Sequence, residues 1–307
     1  MILTVCPNPS MDCTIEVDDL NVGMLNRISN KIETYSGKAL NVAIVVARLG
    51  GDALATGFMF ESNGRMFEHA LDKEGVRHRF VWNAGSVRVN YKIIDKKSML
   101  TEINDRGDEV YPAQQEELLE LVEALAKQAD IAVVSGSLPK GVPPAYYGRL
   151  LACIPSSVRT ITDTETANLV YSLKEKPYLV KPNLKELENY SRRTLVTHGE
   201  ILSAAEEMLE AGAQNVLVSL GAEGAILTDG KKRYYCKSAN VAINSTVGAG
   251  DSMIASACMQ ILKDAPLCEV LRHGVAAGTA AITTSGTNLF YRDKYEEIYS
   301  QISVQEL

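Results

Sequence analysis

The sequence predicts an α/β protein with a mainly parallel central sheet, helices on both of its faces, and a small β-sheet lid. Three observations carry this expectation. Short apolar runs alternate with longer stretches whose apolar residues recur at helical spacing, and such alternation feeds parallel strands into one sheet. Four β-rich segments with polar flanks, residues 13–17, 27–34, 87–94 and 99–103, stand outside the alternation. They are read as the lid, within segments 12–35 and 86–105. Finally, Gly- and Ser-rich turns follow several of the strands, which is where open α/β sheets bind ligands. No repeat, low-complexity stretch or linker interrupts the 307 residues, so they are read as a single domain.

Each element has its own signal. Residues 2–6 are an apolar run stopped by Pro7-Asn8-Pro9, as expected of a buried strand running into a turn. Helix-then-strand pairs follow at 40–49 and 52–57, at 66–73 and 79–82, and at 114–128 and 131–134. Further strands are expected at 158–162, 178–180, 216–219 and 225–228, with helices at 184–190 and 198–211. Two apolar helices, 252–262 and 267–284, and a polar-faced one from 292 to about 303 close the chain.

A hydrophobic content of 46% is ample for a core, and a net charge of −7 speaks against nucleic acid as a partner. Any anionic ligand must then be met by locally placed cations. The six cysteines form no CxxC pair, which favours reduced thiols and a cytoplasmic protein. No apolar run reaches the ~18 residues of a membrane span, and residues 1–6 lack the charged lead of a signal peptide. The four histidines show no ligand-like spacing.

The most informative stretch is 244–257, NSTVGAGDSMIASA. Gly248, Ala249 and Gly250 let a ligand approach the backbone, and an apolar helix follows. Unpaired amides at a helix start suit a phosphate or the charge developing on a phosphoryl group. Asp251 beside them can accept the proton of an attacking hydroxyl, or it can simply cap the helix. Gly37, Lys38 and Asn41 form a second loop-to-helix start, suited to a polyol or phosphate, or equally a solvated lysine. Arg88, Asn90 and Lys92 share one strand face and could clamp a sugar phosphate, or form a plain solvated face.

Ser137 sits in SGSLPKG just after an apolar strand, at the ligand-binding end. Lys181 and Asn183 leave another strand, and Glu186, near a nucleotide, would act through a water on Mg²⁺; a loop held by Pro182 is the alternative. Ser219, Gly221 and Gly224 could offer amides to nucleotide phosphates, or make a tight hairpin. There is no GxxxxGK[ST], and no dinucleotide-binding GxGxxG after the first strand, which argues against Walker ATPases and Rossmann dehydrogenases.

With these residues in view, the chain resembles the phosphofructokinase B branch of the ribokinase-like sugar kinases. The likeness rests on NPSMD at 8–12, SGSLPKG at 135–141, KPNLKE at 181–186 and TVGAGDS at 246–252, in that order. It implies a ribokinase-like three-layer sandwich whose β lid serves as a dimer clasp, hence a homodimer. It also implies ATP- and Mg²⁺-dependent phosphorylation of a ketohexose phosphate. By this resemblance Asp251 is the base, Gly248 to Gly250 the anion hole, and Asp12, Lys38, Asn41, Arg88 and Ser137 hold the sugar phosphate. Two lid segments, VRVNYK at 87–92 and TEIN at 101–104, are similar to 1-phosphofructokinases, so fructose 1-phosphate is the expected substrate. Tagatose 6-phosphate and fructose 6-phosphate are the alternatives. Two stretches depart from the pattern: GGKG is SGKA at 36–39, and DxSGEAL is DTETANL at 163–169. A non-catalytic binder of the same fold is the contrasting reading, and retention of Asp251 with its anion hole speaks against it.

Overall fold

The computed structural model describes residues 1–97, 99–284, 289 and 291–307, and of Thr166 only the backbone. β1 (Ile2–Cys6) is buried along its length, as an ILTVC run must be at the centre of a sheet covered on both faces. The chain continues through β2 (Ser10–Val17), β3 (Ile28–Ser36), α1 (Lys38–Arg48), β4 (Ala53–Phe60) and α2 (Arg65–Lys73). Short strands β5 (Arg77–His78) and β6 (Val81–Asn83) precede β7 (Arg88–Asp95) and β8 (Leu100–Asn104). Then come α3 (Pro112–Ala126), β9 (Ile131–Ser135), α4 (Tyr146–Ala152), β10 (Arg159–Asp163), α5 (Thr166–Lys174) and β11 (Leu179–Val180). Helices α6 (Leu184–Ser191) and α7 (His198–Glu210) lead to β12 (Val216–Ser219), β13 (Ala225–Thr228) and β14 (Arg233–Cys236). The chain closes with α8 (Ala249–Ile261), α9 (Leu267–Ile282), α10 (Arg292–Gln301) and β15 (Val304–Glu306).

Among the described residues the strands form two sheets. The larger has the order β15-β14-β13-β12-β11-β10-β9-β1-β4-β5, with β6 also paired to β4. Pairing is parallel from β12 to β5 and antiparallel from β12 through β13 and β14 to β15. The expected mainly parallel sheet is therefore present, with an antiparallel margin at one edge. Alternation across that edge is plain in β12, where Val216 and Val218 join a core cluster with α5, α6 and α7 while Leu217 joins the other cluster. The larger cluster packs α1, α8 and α9 with β1, β4 and β9.

The sequence reading missed β14, β15, α4 and α5. β14 has four residues and β15 three, too few to display a period. The seven-residue α4, YYGRLLA, carries a glycine and is held by burying Tyr146, Tyr147, Leu150 and Leu151 rather than by propensity. Of the strand expected at 79–82 only residues 81 and 82 fall in a strand, β6, and the two-residue β5 ends before it.

The smaller sheet has the order β3-β2-β7-β8. β2 and β7 are parallel, aligning Ser10 with Arg88, Asp12 with Asn90 and Thr14 with Lys92, while β8 returns antiparallel with Asn104 opposite Asn90. These strands lie within the two segments expected to form the lid, apart from a residue or two at the ends of β2 and β3.

Candidate active site

Strands β1, β9, β10, β11 and β12 run parallel, so their carboxyl ends emerge on one side of the sheet. The turns after them, the starts of α1 and α8, and the smaller sheet enclose a cavity of about 1100 Å³. Every residue singled out from the sequence lines it. One end carries Asp12, Gly37, Lys38, Asn41, Arg88, Asn90 and Ser137. The other carries Lys181, Asn183, Glu186, Ser219, Gly221 and Gly224, and Gly248, Ala249, Gly250 and Asp251 complete the wall.

α8 begins at Ala249, three residues before the expected start, so Asp251 belongs to its first turn. Gly248 is the N-cap at φ 76°, a conformation that a side chain resists, and a Cβ there would come within 2.6 Å of Leu289 Cδ2. Gly37 is equally constrained: a Cβ would stand 2.7 Å from Cys6 Sγ. Both turns thus bring backbone without a side chain to the cavity wall. The methyl of Ala39, where the sequence departs from the pattern, is buried in the apolar core.

Asp251 is only 6% exposed, and Asn41 Nδ2 donates to its Oδ2 at 2.8 Å. Ser36 Oγ donates to Asn41 Oδ1 at 3.3 Å, which fixes the amide's orientation. Burial pushes the Asp251 carboxyl up to about 6, with Lys38 opposing and Asp163 reinforcing the rise. A helix N-terminus alone would favour an ordinary ionised carboxylate. The desolvation of a fully enclosed carboxyl outweighs it here.

Sequence reasoning left the role of Asp163 open, and the structure places it at the bottom of the cavity. Its Oδ1 accepts from Lys38 Nζ at 3.1 Å, and its Oδ2 lies 3.2 Å from Lys181 Nζ. Burial raises the Asp163 carboxyl, but Lys181 and Lys38 together outweigh it and hold the group below the usual carboxylate range. Asp163 in turn raises Lys38, which stays protonated. A signal was available. Asp163 ends β10 in register with Ser135, at the same strand-end level that marked the other loops.

On the smaller sheet, Asp12 Oδ1 accepts from Ser10 Oγ at 3.3 Å and from Asn90 Nδ2 at 3.2 Å, while Oδ2 pairs with Lys92 Nζ at 2.8 Å. Lys92, read from the sequence as part of a phosphate clamp, is thus committed to a carboxylate. Arg88 donates to the backbone carbonyls of Pro9, Asp105 and Asn8 at 3.4, 3.1 and 3.4 Å, which ties β7 to the turn after β1. Asn8 Nδ2 donates to Ser137 Oγ at 3.2 Å, joining that turn to the one after β9.

At the opposite end, Asn183 and Glu186 form a reciprocal capping box on α6, each bond 2.8 Å. The 3₁₀ turn Gly221–Glu223 links antiparallel β12 and β13, so this loop is both the tight hairpin and a wall of the cavity. Sequence reasoning missed Val241, Ile243, Val275 and Ile282, which give this end an apolar lining. They carry no charge or turn chemistry to mark them.

The comparisons with known proteins agree with this geometry. The sequence of the pfkB family carbohydrate kinases is matched over residues 8–294. A 1-phosphofructokinase of Vibrio cholerae is 31% identical over 307 residues, covering 100% of this chain and 97% of the relative. A tagatose-6-phosphate kinase of Staphylococcus epidermidis is likewise 31% identical, with 100% of both chains covered. Among solved structures, phosphofructokinase-2 from Escherichia coli in complex with substrates and products superposes with a TM-score of 0.91 at 31% identity, covering 98% of each chain. Family, relatives and fold coincide over nearly the whole length, and the chain belongs to the pfkB carbohydrate kinases, enzymes that pass a phosphoryl group from ATP to a sugar.

Proposed function

We propose that the chain phosphorylates a ketohexose monophosphate to the bisphosphate, with fructose 1-phosphate as the preferred acceptor. The observation that carries this reading is Asp251: a buried carboxyl held by Asn41 in the first turn of α8, facing a cavity that also contains Lys38 and Arg88. Asp251 takes the proton of the sugar hydroxyl as it attacks. The amides of Gly248, Ala249 and Gly250, at the positive end of α8, stabilise the charge on the phosphoryl group in transfer. Lys38, held protonated by Asp163, stands nearby as a cation, and Asp12, Gly37, Asn41, Arg88, Asn90 and Ser137 orient the sugar phosphate. Lys181, Asn183, Ser219, Gly221 and Gly224 serve the nucleotide.

Magnesium fits the chemistry of this site through the nucleotide. Among the described residues no group of three or more His, Cys, Asp or Glu could hold a metal by itself. Glu186 spends Oε2 on the backbone of Asn183, which leaves one oxygen to act through a water, the way Mg²⁺ is commonly held beside phosphates. The ion supplies charge neutralisation between the phosphates.

The choice of sugar rests on β7 and β8, where the VRVNYK and TEIN segments pair side by side and bring Asn90 and Asn104 to the cavity. The relatives alone do not separate the sugars, since a 1-phosphofructokinase and a tagatose-6-phosphate kinase are equally similar. With saturating MgATP and ADP release as the readout, kcat/KM is expected to favour fructose 1-phosphate over both 6-phosphates. A preference above about tenfold for either 6-phosphate would reassign the substrate.

The whole chain, 1–307, is taken as one kinase unit, and the smaller sheet as its lid and dimer contact. Exposed Tyr91 and Ile103 stand opposite each other on β7 and β8, an apolar pair that a second copy would cover. Tyr91→Asp with Ile103→Asp is expected to shift sedimentation from dimer to monomer, and an unchanged profile would remove this face from the contact. A cytoplasmic setting agrees with six unbridged cysteines and with the lack, among the described residues, of any helix long and apolar enough to cross a membrane.

A further inference from the structure

We propose that Lys92 is a positioning residue: its ion pair with Asp12 maintains a wall of acceptors, Asp12 and Asn90, that selects the ring hydroxyls of the sugar. The inference rests on the reading of the cavity as a ketohexose-phosphate site. Parallel register places Asn90 beside Asp12 and Lys92 beside Thr14, on one face of the smaller sheet. Lys92 and Asp12 are 8% and 5% exposed, so both charges are withdrawn from water and neutralise each other.

A carboxylate only accepts hydrogen bonds, so the side of the Asn90 amide that meets Asp12 has to be its NH₂. That fixes the amide, and Asn90 Oδ1 is left as a buried oxygen without a hydrogen-bond partner. A buried acceptor without a donor is costly, and Asn90 lines the cavity. A sugar hydroxyl supplies the missing donor. Asp12 keeps further lone pairs for a second hydroxyl, because an ionised carboxylate offers more acceptor sites than Ser10, Asn90 and Lys92 occupy.

The wall therefore presents unspent acceptors at Asp12 and at Asn90 Oδ1, a polarity that suits hydroxyls able to donate. Its polarity depends on Lys92. With that ammonium gone, the buried Asp12 carboxylate loses its ion-pair partner and the contact that holds its orientation. Glu102, exposed and opposite Lys92 on β8, is the other acid beside this lysine, yet the ammonium is bonded to Asp12. Lys92 thus acts on the sugar through Asp12 rather than on the phosphate directly.

Steady-state kinetics of the full chain test this with fructose 1-phosphate, a ring-deoxy analogue and ATP. Lys92→Met is expected to raise KM for fructose 1-phosphate about tenfold or more, with KM for ATP within about twofold, and Lys92→Arg to recover most of the loss. The double variant Asp12→Asn with Lys92→Met removes both charges, so it should recover Tm but not the sugar KM. A role for Lys92 confined to stability predicts that Lys92→Met lowers Tm and leaves KM for fructose 1-phosphate unchanged, and that result overturns the proposal. An equal rise of both KM values in Lys92→Met overturns it too. Asn90→Ala should narrow the parent's preference for fructose 1-phosphate over the deoxy analogue by about tenfold, and an unchanged preference removes Asn90 from the wall. If the parent enzyme turns over no ketohexose phosphate at all, the substrate reading falls and this inference falls with it.

Discussion

Asp251→Asn is expected to lower kcat by about 10² to 10⁴-fold, the usual contribution of a placed proton acceptor, while the protein folds at least as stably as the parent. The second half of that expectation separates lost chemistry from lost fold. Burial raises the Asp251 carboxyl to about 6, so the folded state holds this proton more tightly than the unfolded chain. A raised carboxyl favours folding below its unfolded pKa and ceases to do so as pH climbs through the folded value. Relative to the acid form, an ionised Asp251 costs about 3 kcal/mol at neutral pH, an order-of-magnitude figure from the shift between 3.8 and about 6. Asparagine has no such cost and keeps an oxygen for Asn41. Denaturant midpoints at pH 8 should therefore rise in the variant while ADP release collapses. In the parent, kcat/KM should fall as pH drops through about 6, because a protonated Asp251 cannot accept the hydroxyl proton. Near-normal turnover in the variant would take Asp251 out of the mechanism.

Much of this site was legible because its chemistry sits on strand ends and helix starts. Apolar β1 and β9 predicted where their loops emerge, so Ser137 could be placed without a structure. Gly248 and Gly37 were legible as close-approach residues, and each has a conformation or a neighbour that excludes a side chain. Partners were not legible. Nothing in the spacing of Asp12 and Lys92 states that a parallel pairing across 80 residues will join them. Arg88 and Lys92 read alike on a strand face, yet one ties down backbone carbonyls and the other neutralises a carboxylate.

The elevation of Asp251 was hidden for a related reason: a helix start can be seen in a sequence, whereas the degree of enclosure depends on α1, α8 and the loops meeting. The antiparallel margin was lost to brevity, since β14 and β15 stand on pairing with their neighbours rather than on a period of their own. Val241, Ile243, Val275 and Ile282 read as ordinary apolar residues, and only the assembled cavity sets them apart.

Asp163→Asn is expected to lower the free energy of unfolding by about 3 to 5 kcal/mol, the range for breaking a buried ion pair from one side. Asp163 is 2% exposed and bridges Lys38 and Lys181. The loss comes chiefly from Lys181, whose side chain is 4% exposed and would be left charged and enclosed. The Lys38 side chain is 42% exposed, so water screens its share. The pH dependence runs opposite to that of Asp251. Because the two lysines hold the Asp163 carboxyl below its ordinary value, its stabilisation is fully present above the unfolded pKa and is lost as pH falls through the folded one. The parent should accordingly lose this contribution only in acid, below about pH 4, and Asp163→Asn should flatten that limb of the stability curve. Adding Lys181→Met removes the stranded charge and should recover most of the stability, since a buried pair replaced by apolar groups of similar volume is often close to neutral. Activity should not return with it, because Lys181 lines the cavity and Lys38 still lacks its partner. Urea unfolding of the single and double variants decides the point: a single variant as stable as the parent, or a double variant no better than the single, would show that Asp163 does not hold these two lysines in the fold.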